Sequence, residues 1–145
     1  MNLLKILLSY LFISIIMMGN VAADSPYLMR TSATTALESL LDKAKEHYKA
    51  EQFEQAAAVL ERALRIDSNH PVLWHNLAGV RLAQGDWIRA ANLASKSNAV
   101  AIKFENVKKL RIRNWVVITL ACEGMKDHKC AKEARNQAQI LVQSN

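Results

Sequence analysis

Glycine and proline are scarce in this chain, 4 and 2 among 145 residues, and aromatic side chains make up only 6%. Sheet-rich folds spend many glycines and prolines on turns, so this shortage favours helices. Cysteine occurs twice. Catalytic signatures are missing as well: there is no G-x-S-x-G, no H-E-x-x-H and no glycine-rich phosphate loop. The four histidines join no metal or catalytic motif, and the lone acids have basic neighbours, as Glu61 has Arg62 and Arg65. An excess of one charge is also lacking, since the formal charge is only +6. That balance permits an acidic partner or an anionic lipid surface without requiring either.

What is present begins with an apolar run. Lys5 is the one basic residue ahead of it, and 6–18 is broken only by Ser9, Tyr10 and Ser14. Gly19, Asn20 and the small-residue stretch Val21, Ala22, Ala23 follow, then Asp24. This order is that of a signal peptide, 1–23, cleaved after Ala23. No cysteine follows the run, which argues against a lipid anchor. The alternative is an uncleaved inner-membrane anchor, because the uncharged stretch 6–23 has 18 residues, the lower edge of a membrane span. Export makes nucleic acid a poor candidate partner, and loss of Lys5 lowers the formal charge by one.

The segment 24–34 is polar and reads as a flexible leader. Thr35 and Glu38 fit a capping box, so the first helix is expected to start near Ala36, with Leu37, Leu40, Leu41, Ala44 and Tyr48 spaced as one apolar face. A second helix is predicted over 53–66. Asn69, His70 and Pro71 punctuate the chain before a third, 72–84. Gly85 ends that helix and Asp86 caps a fourth beginning at Trp87.

A shift of 34 residues then superposes like on like. Leu40 falls on Trp74, Ala44 on Ala78, Tyr48 on Leu82, Phe53 on Trp87, Ala56 on Ala90, Leu60 on Ala94 and Ile66 on Val100. A third, degenerate unit carries Trp115, Ile118, Thr119, Cys122, His128, Ala131, Ala138 and Leu141 at the same internal spacing. Its Ala131 lies 41 residues after Ala90. The surplus amounts to about two helical turns, so either the fourth helix is extended or a linker fills 104–110.

This period and pattern resemble the tetratricopeptide repeat. The resemblance spans 35–143 and implies an all-α fold: a right-handed α-solenoid of about three helix pairs, the third degenerate. It also implies a non-enzymatic scaffold without a cofactor or bound metal, whose partner is a protein or peptide. The stretches Lys96-Ser97-Asn98-Ala99 and Arg113-Asn114-Trp115 are similar to those of small exported members of the Gram-negative cell envelope, which implies a periplasmic location. In the family the first helix of each pair lines a concave binding face. The corresponding residues are Leu41, Lys45 and Tyr48 in unit one and His75, Asn76, Gly79 and Leu82 in unit two. In unit three they are Arg113, Val116, Val117, Leu120 and Glu123. One subclass clamps a C-terminal carboxylate; of the matching residues Leu41, Lys45, Asn76, Arg113 and Val117, only Asn76 and Arg113 agree in type, which argues against that clamp.

Two further features stand out. Lys108, Lys109, Arg111 and Arg113 place four cations in six residues where the spacing breaks. They read either as a docking patch for an acidic partner or membrane surface, or as the solvated side of a helix with Leu110 and Ile112 turned partly inward. Polar residues there, Asn98, Arg113 and Asn114, suit backbone groups left unpaired where the pattern changes. Cys122 and Cys130 belong to the end of the fifth helix and the start of the sixth, close enough for a disulfide. A metal site that adds His128 lacks a fourth ligand, and His128 and Cys130 diverge on a helix. Finally, no solvating helix follows Leu141, so the last pair offers apolar surface to a partner or to a second copy.

Overall fold

Six helices succeed one another in the computed structural model, which describes residues 26–144, with side chains from Thr35 onward. They are α1 (Pro26–Lys49), α2 (Phe53–Ile66), α3 (Pro71–Ala83), α4 (Trp87–Ala101), α5 (Lys108–Gly124) and α6 (His128–Gln143). Residues from Ala33 on form one compact unit. The signal-peptide stretch lies outside the described residues. The helix α1 starts at Pro26, well before the capping box, and so takes in 26–34 of the segment expected as a leader. Proline suits a first helical position, and no glycine or further proline interrupts the stretch behind it.

The three pairs α1–α2, α3–α4 and α5–α6 turn in the same way. Glu51, Gly85 and Lys126 stand at the same place after the first helix of each pair, with φ of 59°, 74° and 60°. Around them the backbone hydrogen bonds repeat. Glu51 N–H donates to Tyr48 O and Gln52 N–H to His47 O. Gly85 N–H donates to Leu82 O and Asp86 N–H to Arg81 O. Lys126 N–H donates to Glu123 O and Asp127 N–H to Cys122 O. Each is a Schellman motif, which closes a helix through one left-handed residue. Only the middle unit supplies glycine there. We expect Glu51→Gly and Lys126→Gly each to stabilise the fold by up to about 1 kcal/mol and Gly85→Ala to cost about 1 kcal/mol, measured by chemical denaturation. A loss of stability in both glycine variants would refute this account of the turns. The next helix is capped by a side chain in two of the three cases: Asp86 accepts from Arg89 N–H at 3.3 Å and Asp127 from Cys130 N–H at 2.9 Å.

Small residues at the crossing points let paired helices approach. Ala44 and Ala56, Ala78 and Ala90, and then Thr119 and Ala131, all lie at 9% exposure or less. The hydroxyl of Thr119 is satisfied by the Trp115 carbonyl at 2.9 Å. Two core clusters result, one on either side of α3. Leu73, Leu77 and Val80 pack with α1 and α2 around Leu60. Ala78 packs instead with Ala90, Ala94, Val117, Ile118, Ala121 and Cys122. At the edge of the first cluster the Arg81 guanidinium reaches back to Glu61 at 2.9 Å, Glu54 at 3.7 Å and the Gln84 amide oxygen at 2.9 Å. Glu61 therefore pairs with α3, across the helix interface, and not with the neighbours Arg62 and Arg65 on its own helix.

The surplus residues before the third pair are distributed, not gathered into a linker. The helix α5 has 17 residues where α3 has 13, α4 has 15 where α2 has 14, and the connection 102–107 is longer than 67–70. Most of the basic run therefore occupies an added first turn of α5.

Candidate functional site

A groove of about 370 Å³ opens between α1 and α3. Leu41, Lys45 and Tyr48 line it from α1; Val72, His75, Asn76, Gly79 and Val80 line it from α3; Leu60 of α2 contributes to its wall. Spacings of three and four residues put these side chains on one stripe of each helix. Tyr48 is 44% exposed, with its ring edge-on to Phe53 at 5.5 Å. Lys45 forms no ion pair among the described residues. Asp42 is the one acid on the lining.

Gly79 has no turn to make. It stands inside α3, and a Cβ built on it would meet nothing within 4 Å. Glycine inside a helix costs about 0.5–1 kcal/mol relative to alanine, and no packing in the free chain offsets that. Its effect is to leave open the part of the groove next to the α3 backbone.

Behind the groove lies a buried polar network. The fully buried Asn114 amide donates through Nδ2 to Ser97 Oγ at 2.8 Å and to Asn98 Oδ1 at 2.9 Å. Ser97 Oγ in turn donates to the Pro71 carbonyl at 2.8 Å. With Asn114 Nδ2 donating, its Oδ1 accepts from His75 Nδ1 at 2.7 Å. The imidazole therefore carries its proton on Nδ1 when neutral, leaving Nε2 an acceptor. Burial holds the His75 pKa below its ordinary value; the bond to Asn114 opposes that, and the Arg113 charge adds to it. The ring is thus neutral at physiological pH. The network ties α3, α4 and α5 together where the repeat spacing is irregular. It involves the two stretches singled out in the sequence, 96–99 and 113–115.

The predicted face is only partly assembled. Lys45, Tyr48, His75 and Asn76 share the groove. Leu120 and Val116 are 46% and 47% exposed on α5, apart from it. Arg113 is exposed and close enough to His75 for its charge to be felt. Two assignments need correction. Val117 is only 8% exposed and Leu82 is half-buried against the same core cluster. Val117 follows Asn114 by three residues and precedes Ala121 by four, so it shares their buried stripe.

The basic run does not act as one patch either. Lys109 and Arg113 are exposed, Lys108 donates to the Ser144 carbonyl, and Arg111 is half-buried with its Nε enclosed and unpartnered. Steps of one and two residues on a helix point in different directions, which spreads the four cations around α5. Leu110 and Ile112 are half-buried. At the far end Cys122 and Cys130 are joined in a disulfide with Cα atoms 5.7 Å apart, beside an Arg135–Glu123 ion pair at 2.5 Å. Its short loop is worth about 2.5 kcal/mol on a chain-entropy view.

Comparison with known proteins agrees with this geometry. The family model "Tetratricopeptide repeat" matches residues 47–111. The globular C-terminal domain of P. aeruginosa LpoP superposes with a TM-score of 0.67 at 33% identity, covering 71% of this chain and 94% of that one. The N-terminal domain of stress-induced protein-1 (STI-1) from C. elegans superposes with a TM-score of 0.72 at 18% identity, covering 77% of this chain and 88% of that one, a likeness of fold alone. No curated relative matches the sequence. With its helix pairs, its three equivalent Schellman turns and a relative of one-third identity, this chain belongs to the tetratricopeptide-repeat family.

Proposed function

We propose that this protein is an exported, non-enzymatic interaction module of the bacterial envelope that holds a segment of a partner protein in the α1–α3 groove. The observation that carries the reading is the groove itself, open at Gly79 and flanked by Lys45, Tyr48, His75 and Asn76. Its mixed lining suits a peptide that presents an apolar side chain toward Leu41 and Val80 and a polar or acidic group toward Lys45. The family, whose repeats serve protein binding, supports the same reading. The signal-like stretch 1–23 and the Cys122–Cys130 bond both favour an oxidising compartment outside the cytoplasm.

Gly79 supplies the test. Gly79→Ala should raise stability by about 0.5–1 kcal/mol, because the helix gains propensity and nothing clashes. Gly79→Leu should fold as the parent does, yet fill the groove and abolish a crosslink formed from a photoreactive residue at Tyr48 in the native host. An identical crosslinking pattern in Gly79→Leu and parent, or no specific crosslink from either, would remove the groove as the binding site.

A second reading is a structural protein tethered by an uncleaved N-terminal segment. Among the described residues no helix is long and apolar enough to cross a membrane, so the tether would rest on 1–23. Finding Asp24 as the mature N-terminus by mass spectrometry excludes it.

A further inference from the structure

Away from the groove, the connection between α4 and α5 leaves apolar side chains exposed. Ile102 is 73% exposed and Phe104 46%, directly after the fully buried Ala101. They are held on a hydrogen-bonded turn, with Lys103 N–H donating to Val100 O at 3.3 Å and Phe104 N–H to Ala101 O at 3.0 Å. The equivalent connection between α2 and α3 is polar, formed by Asp67, Ser68, Asn69 and His70, and its Ser68 carbonyl accepts from Trp74 Nε1 at 2.8 Å. The repeat thus needs no apolar residue at this place. Cations flank the two: Lys103 and Lys109 are exposed and form no ion pair among the described residues, while the Lys108 ammonium donates to the Ser144 carbonyl. Glu105 is the only acid between 102 and 113.

We propose that this turn, with the start of α5, docks on an anionic phospholipid surface. Ile102 and Phe104 enter the boundary between headgroups and acyl chains, while Lys103 and Lys109 meet lipid phosphates. Interleaved apolar and basic side chains suit that boundary, where one layer is apolar and the next is negatively charged. A protein acceptor fits less well, since two apolar side chains on one turn cover far less than the ~800 Å² per partner of an ordinary interface. The site lies on different residues from the groove, so the lipid contact and partner binding succeed or fail independently.

Hydrogen exchange of the full chain, read by mass spectrometry, tests this. Vesicles of phosphatidylcholine are compared with vesicles that also contain phosphatidylglycerol. Regional readout is needed because the apolar stretch 1–23, where retained, enters either vesicle. The expected result is slowed exchange over 102–111 with the anionic vesicles alone. The double variant Lys103→Glu/Lys109→Glu should lose that protection, and Ile102→Ser/Phe104→Ser should need about tenfold more anionic lipid for the same protection of 102–111. Thermal melts matching the parent's verify that both variants fold, as their side chains are exposed. No protection at 102–111, equal protection with both vesicles, or the same protection from soluble polyglutamate would overturn the lipid assignment.

Discussion

Asn114→Ala is expected to destabilise the protein by about 3 kcal/mol and to lower its melting temperature by about 15 °C. The side chain is fully buried and carries three hydrogen bonds, to His75, Ser97 and Asn98. Removing it leaves the Asn98 carbonyl oxygen without this donor, in a residue whose Nδ2 already lacks a partner. It also opens a cavity between α4 and α5 that neither helix can close without breaking its packing. Chemical denaturation measures the loss; a value below about 1 kcal/mol would mean that water takes over the network. His75 adds a pH signature. Its folded pKa lies below the ordinary value of about 6.5, so above that value the ring is neutral in both states and its contribution to stability is intact. As pH falls through 6.5 toward the folded value, the unfolded chain takes up the proton first and stability declines. His75→Gln should flatten that decline. N114D should reverse the shift, because a carboxylate facing Nδ1–H favours the charged imidazole; an NMR titration of the His75 ring reads both effects.

Gly124→Val is the second large effect. A Cβ on Gly124 would stand 2.5, 2.7 and 2.9 Å from three atoms of the Trp87 indole. The same ring also lies against Gly85, where a Cβ would come to 3.5 Å. The indole therefore touches the turns of both the second and the third pair, and a Cβ at 2.5 Å forces it to move. Overpacking of this kind costs about 1–3 kcal/mol for alanine, with valine at the upper end or beyond. In a Trp87→Leu background the substitution should cost at least about 1 kcal/mol less, a coupling that a double-mutant cycle isolates. Equal costs in the two backgrounds would show that Gly124 is needed for the C-terminus of α5 alone.

Much of the fold is legible in the residues. The period of 34, the offset third unit, the Asp86 cap and the pairing distance of Cys122 and Cys130 all follow from local patterns, because helical periodicity and turn chemistry act over a few residues. The start of α1 departs from such a pattern. Thr35 and Glu38 satisfy a local capping rule, but the helix that begins at Pro26 carries the chain past them.

Site residues were legible where one helix face decides them and illegible where neighbouring helices do. Lys45, Tyr48, His75 and Asn76 come together because α1 and α3 repeat the same stripe. Leu82 and Val117 turn inward because α5 packs against α4 and α6 along the stripe that holds Asn114, Val117 and Ala121. Glu61 chooses Arg81 across an interface over Arg65 one turn away. The basic run looks continuous in sequence, yet helical geometry disperses it.

By itself, then, the sequence determined the helix pairs, their register and the family, since these depend on interactions between residues close in the chain. Tertiary structure alone decided which of the displayed side chains share a groove, that His75 is neutral and Nδ1-protonated, and that Gly79 leaves open space while Gly124 has none to give. Those properties depend on distances between residues tens of positions apart, which packing sets.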